Sequence, residues 1–184
     1  ALVYSAAAQS LLPTPTVRFT SLLGTHTSAV YITNNIGDVG TLYLSDGSLL
    51  DRATIRHSGE LYANGLTNWT ANSITFSNCA LRIAQDGLVV VSSNDLSILG
   101  TNLFMCKAQL SNAVVTCGGN MLVNNSRFSL FGGATSGPAL SCAGSLTVTN
   151  GGVAAFYGGG TNAGGTPYGA VVTIVGATTI ATNS

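Results

Sequence analysis

Four cysteines, Cys79, Cys106, Cys117 and Cys142, are the side chains of this 184-residue chain best suited to covalent chemistry. No two of them form a Cys-x-x-Cys pair, and the two histidines, His26 and His57, stand alone. That pattern does not make a zinc site, and no metal or cofactor is expected. Four cysteines in an otherwise unreactive chain point to disulfides and an oxidising compartment.

The offsets of the cysteines suggest a pairing. Cys79 follows the apolar run at Leu61 by the same step as Cys106 follows the run at Leu88. Cys117 precedes the run at Met121 by the same step as Cys142 precedes that at Leu146. In a solenoid the chain returns to the same place one coil on, about 4.8 Å away. Disulfides need Cα atoms about 4.4–6.8 Å apart. The expected bridges are therefore Cys79–Cys106 and Cys117–Cys142.

Carboxylates are the other candidates for chemistry. Glycoside hydrolysis uses two of them about 5–9.5 Å apart. Glu60 and Asp86 each precede a strand start, at Leu61 and Leu88, and Arg56 and Arg82 lie near them in sequence. A solvated charge cluster explains the same residues, and no nucleophile motif accompanies either histidine. No catalytic residue is assigned, and an enzyme is not expected.

Positioning these groups requires repeated strands. Short apolar-alternating runs recur from residue 17 onward, separated by Asn64-Gly65, Asp86-Gly87, Gly118-Gly119, Gly132-Gly133, Asn150-Gly151 and Gly158-Gly159-Gly160. Starts at Leu61, Leu88, Met121, Leu146 and Thr178 divide the chain into coils of unequal length, with less regular starts near Leu42 and Val17. The reading is an all-β chain, a right-handed parallel β-helix of about six coils over residues 17–184, preceded by an extended arm at 1–16. A sandwich accounts for the strands but not for cysteines at shared offsets.

Residues Asn125-Ser126-Arg127-Phe128-Ser129-Leu130-Phe131-Gly132-Gly133 and Gly137-Pro138-Ala139-Leu140-Ser141-Cys142 resemble the repeats of right-handed parallel β-helix surface proteins. Passenger regions of autotransporters and polymorphic outer-membrane proteins are the nearest kind. The resemblance covers about residues 110–180 and implies extracellular display, adhesion or assembly. The wider parallel β-helix class also includes polysaccharide lyases and hydrolases.

Charge adds to the picture. Only 7% of residues are charged, net charge is zero, and nothing after Arg127 is charged. Without a basic run, nucleic acid is not an expected partner. No apolar stretch reaches the ~18 residues of a membrane span. A neutral surface promotes association, so the C-terminal region is expected to be covered by a neighbouring subunit. The N-terminal Ala fits a mature secreted chain. Asn68-Trp69-Thr70 and Asn124-Asn125-Ser126 match the glycosylation triplet.

The arm is apolar and uncharged, with Leu2, Val3, Tyr4, Leu11 and Leu12, and Pro13 and Pro15 detach it from the body. A short Ala-rich helix capping the chain's own first coil is one reading. The favoured one is a strand donated to the next subunit, head to tail. The expected function is thus a structural subunit of an extracellular filament or surface layer that polymerises with itself. A surface adhesin or carbohydrate-binding β-helix is the alternative; Thr-x-Thr pairs for ice binding do not recur at coil spacing.

Overall fold

In the computed structural model of the chain, the described residues are 6–9, 11, 15, 18–21, 40–44, 47–63, 65–83, 85–105, 113–161 and 163–181. A single helical turn, α1 (Ala6–Gln9), precedes the strands. An incomplete first part holds β1 (Thr41–Leu44), β2 (Thr54–Ile55) and β3 (Gly59–Ala63). Four complete three-strand turns follow. They are β4 (Asn68–Ala71), β5 (Ile74–Ser77) and β6 (Ala80–Ile83); β7 (Val89–Ser92), β8 (Leu96–Leu99) and β9 (Asn102–Met105); β10 (Val114–Cys117), β11 (Met121–Asn124) and β12 (Arg127–Phe131); and β13 (Ala139–Cys142), β14 (Leu146–Thr149) and β15 (Val153–Tyr157). A last partial turn carries β16 (Val171–Ile174) and β17 (Thr178–Ile180).

Corresponding strands stack in parallel into three sheets. We call them the β3 sheet (β1-β3-β6-β9-β12-β15), the β4 sheet (β4-β7-β10-β13-β16) and the β5 sheet (β2-β5-β8-β11-β14-β17). The molecule is a parallel β-solenoid. Its core is filled by the inward residue of every second position, as strand geometry requires. On the β5 sheet these are Ile74 and Phe76, Leu96 and Ile98, Met121 and Val123, and Leu146 and Val148, all buried. Trp69 fills the first complete turn, fully buried, and its indole N–H donates to the Arg52 carbonyl at 2.9 Å.

The coils are not framed as the sequence pattern predicts. Leu61 belongs to the β3 sheet, Leu88 immediately precedes a strand of the β4 sheet, and Met121 and Leu146 lie in the β5 sheet. Of the expected starts, Met121, Leu146 and Thr178 share one column and Leu42 and Leu61 another, while Leu88 aligns with neither. The expected coil from Leu88 to Met121 therefore begins on one face and ends on another. Apolar alternation looks the same on all three faces, so it signals a strand without signalling which face the strand occupies. About six coils are expected and four complete turns are found, because among the described residues the first and last coils are partial, with β1, β2 and β3 at one end and β16 and β17 at the other. The true coil runs from Asn68 to Val89, then to Val114, Ala139 and Val171, which follow one another by register. Its first step is the shortest and its last the longest.

Nearly all the variation falls at one corner. Between the β5 and β3 sheets the chain needs only residues 78–79, 100–101, 125–126 and 150–152. Between the β4 and β5 sheets it needs 72–73, 93–95, 118–120 and 143–145. From the β3 sheet to the β4 sheet the connections are 84–88, 106–113, 132–138 and 158–170. The first of these corners turns through the left-handed region, with positive φ at Asn78, Gly100, Asn125 and Asn150. Asn and Gly are the residues that enter that region at least cost.

Candidate functional site

The cysteines occupy the two tight corners. At the corner leading into the β5 sheet, Ser92, Cys117 and Cys142 form one column, because β7, β10 and β13 pair Ser92 with Cys117 and Cys117 with Cys142. Each side chain donates to the carbonyl three residues ahead. Ser92 Oγ reaches Asp95 O at 2.6 Å, Cys117 Sγ reaches Asn120 O at 3.3 Å, and Cys142 Sγ reaches Ser145 O at 3.8 Å. The thiols also touch the preceding coil, Cys117 at Asn94 O (3.2 Å) and Cys142 at Gly119 O (3.3 Å).

A second ladder runs beside the first. Asp95 Oδ1 accepts from Asn120 N–H at 2.8 Å, Asn120 Oδ1 from Ser145 N–H at 3.0 Å, and Ser145 Oγ from Ala177 N–H at 3.2 Å. Every coil thus satisfies a corner amide of the next, along the exposed side of the turn. The coils approach so closely here that a Cβ on Gly144 would sit 2.5 Å from Gly119 O. The motif Ser92-x-x-Asp95, Cys117-x-x-Asn120, Cys142-x-x-Ser145 is visible in the sequence at an even spacing, but cysteine offsets measured from strand starts do not reveal it.

Cys117 and Cys142 are buried thiols in the structure. Burial, with the adjoining Cys142 adding to it, pushes the Cys117 thiol up to about 11. The pair sits one strand spacing apart, about 4.8 Å, inside the range a disulfide spans.

Cys79 belongs to the other corner. Its column continues with Thr101 and Ser126, since Ala80 pairs with Asn102 and Asn102 with Arg127. Cys79 Sγ lies 3.7 Å from Thr101 Oγ1 and 3.9 Å from Ile55 O. Thr101 donates to Leu99 O at 2.8 Å, and Ser126 Oγ accepts from Thr101 N–H at 3.0 Å. Burial raises the Cys79 thiol above its usual range. Its expected partner Cys106 lies outside the described residues. Cys79 and Cys117 therefore stand where a neighbouring coil places Thr or Ser, and Cys142 between Cys117 and Ile174.

Glu60 meets an arginine and not another acid. It forms an ion pair with Arg82 at 3.0 Å, and the two are register partners. The column through them, Thr41, Glu60, Arg82, Phe104, Ser129 and Ala155, holds no second carboxylate. Asp86 lies in the connection from β6 to β7. His57 is buried, and its Nδ1 accepts from the Phe19 N–H at 3.0 Å while the two rings stack at 5.3 Å. Burial, with Arg18 adding to it, lowers the His57 pKa, and Asp51 opposes them. His26 lies outside the described residues.

Of the arm residues, Leu2, Val3, Tyr4 and Leu12 lie outside the described residues. Leu11 is 86% exposed and follows α1, its N–H donating to Ala8 O at 3.2 Å. The described part of the arm is thus a helical turn. Among the described residues, strand pairing begins with Thr20, which bridges to Ser58 in parallel.

Among the described residues, the C-terminal strands have one edge without a strand partner. β15, β16 and β17 are the outermost strands of the three sheets among the described residues. They expose Val153, Tyr157, Val171, Val172 and Ile180, with Val175 beside them. Natural edges are blunted by charge, proline or a bulge, and this rung carries no charged residue.

Among known proteins, no family model, curated sequence or solved structure matches the chain. Among the described residues, no helix is long and apolar enough to cross a membrane, and no group of three or more His, Cys, Asp or Glu could hold a metal ion.

Proposed function

We propose that this chain is a structural subunit that assembles with copies of itself, head to tail, into an extracellular filament or surface layer. The observation that carries the reading is the terminal rung, with three strand edges in parallel register, exposed valines and isoleucine, and no charge to repel a partner. The four cysteines and the likeness of residues 125–142 to surface β-helix passengers support an extracellular setting. In this reading the segment Ala1–Leu12 leaves its own body beyond Pro13 and Pro15 and adds to an exposed edge of the next subunit, α1 unwinding as it pairs. An isolated four-residue helix is too short to resist that exchange.

Negative-stain imaging and light scattering of the purified chain test the proposal. Linear particles that grow with concentration are expected. Deleting residues 1–12 is expected to shorten them and leave the solenoid intact by circular dichroism. A chain that stays monomeric at every concentration overturns the reading.

A further inference from the structure

The two ends of the β3 sheet match each other. Leu42, Leu61, Ile83, Met105, Leu130 and Phe156 form one inward column by successive pairing. Its four central members are buried to 1% exposure or less, whereas Leu42 and Phe156 are only partly buried against the core. The same column therefore loses its cover at both ends. One position on, the outward column also has an aromatic ring at each end. Tyr43 stacks on Tyr62 at 5.6 Å and 14°, and Tyr157 stacks on Phe131 at 4.5 Å and 7°. Tyr43 is 64% exposed and Tyr157 39%. Among the described residues, no ring stacks on the outer face of Tyr43 or of Tyr157.

We propose that β15 of one copy pairs in parallel with β1 of a second copy, setting Ala155 against Thr41, Phe156 against Leu42 and Tyr157 against Tyr43. The inference rests on the subunit reading above and names its junction. Both strands are outermost in their sheet among the described residues. Both uncovered ends of the core column then close over each other. The outward rings continue across the junction, a stacking arrangement that adds to the area buried. The main-chain groups along the two edges become paired. The contact is heterologous, so it repeats without closing unless the rotation happens to complete a ring. A second copy is the occupant because its edge supplies the residue type each column lacks, apolar inside and aromatic outside. The third column does not interfere, since it brings Ala155 against Thr41 with no charge on either.

Mixing a Thr41→Cys chain with an Ala155→Cys chain under mild oxidation tests the register. Parallel partners about 4.8 Å apart fall within disulfide reach. A covalent heterodimer is expected from the mixture and from neither variant alone, with the unsubstituted chain as the control for its own thiols. A chain carrying both substitutions is expected to give a ladder of covalent oligomers on a non-reducing gel. Tyr157→Lys is expected to raise the concentration for assembly about tenfold or more, because a lysine on an edge strand opposes pairing. Filaments that form without the 41–155 bond overturn this junction and leave the subunit reading standing. Monomers at every concentration overturn both.

Discussion

Cys117 and Cys142 are register partners on adjacent rungs, and each holds the carbonyl three residues ahead of it, as Ser92 does one rung earlier. The thiols take the place of hydroxyls at a corner. In the reduced chain, Cys117→Ser is therefore expected to change stability by less than about 1 kcal/mol, since the hydroxyl meets the same acceptor. Cys117→Leu is expected to cost about 1–3 kcal/mol by overpacking the corner. Urea melts of the two variants check the difference.

The same pair should respond to redox conditions. Under an oxidising glutathione buffer, non-reducing peptide mapping is expected to find Cys117 linked to Cys142. The closed loop of one coil corresponds to about 3 kcal/mol of chain entropy. Four free thiols after prolonged oxidation would refute it.

In the reduced chain, alkali should weaken the fold through Cys117. Its folded pKa of about 11 lies above the ordinary 9.0. The thiol thus holds its proton more tightly folded than unfolded, and stability falls as pH rises from about 9 to about 11. A flat melting temperature across that window, or equal slopes for the parent chain and Cys117→Ser, counts against the assignment.

Acid should loosen the segment at residues 18–21. His57 is lowered from 6.5 by burial, so the unfolded chain takes up the proton first. Stability is complete above about pH 6.5 and declines as pH falls through the folded value. Protonated Nδ1 also no longer accepts the Phe19 N–H. Amide exchange at Phe19 and Ser21 is expected to quicken below about pH 6, and less so in His57→Asn, whose amide oxygen accepts without titrating. Exchange rates that ignore pH apart from the intrinsic trend would argue against it.

Gly100 tests the left-handed corner. Its φ is +54°, and a Cβ there would lie 2.7 Å from Asn78 Oδ1. Gly100→Ala is expected to cost about 1–2 kcal/mol, and Asn125→Gly in the same column to be close to neutral. Thermal melts of both decide it.

The strands are legible in the sequence because alternation and Gly or Asn turns are local. The frame is not. Leu61 and Leu88 present the same alternation from different sheets, and only pairing from one coil to the next separates them. For the same reason strand-relative offsets misplace Cys79, which shares its corner with Thr101 and Ser126. The alignment of Cys117 with Cys142 is legible because both offsets are measured from strands that do share a sheet, β11 and β14. The matching edges of β1 and β15 are beyond the reach of sequence patterns. They depend on which columns lose cover at the ends of the stack.

The corner from the β3 sheet to the β4 sheet absorbs nearly every change in coil length, from residues 84–88 to residues 158–170, while the other two keep two or three residues. The other two corners are tied rung to rung by their own ladders, and added length there would break a bond in the next coil. The rod therefore behaves like a comb, rigid along its spine and free to grow teeth along one side. Peptides inserted at Gly165, where a Cβ meets nothing within 4 Å, should ride outside the three sheets, whereas Gly132, Gly159 and Gly160 pack against the neighbouring coil. Insertions at 118–120 should disturb the coils above and below at once.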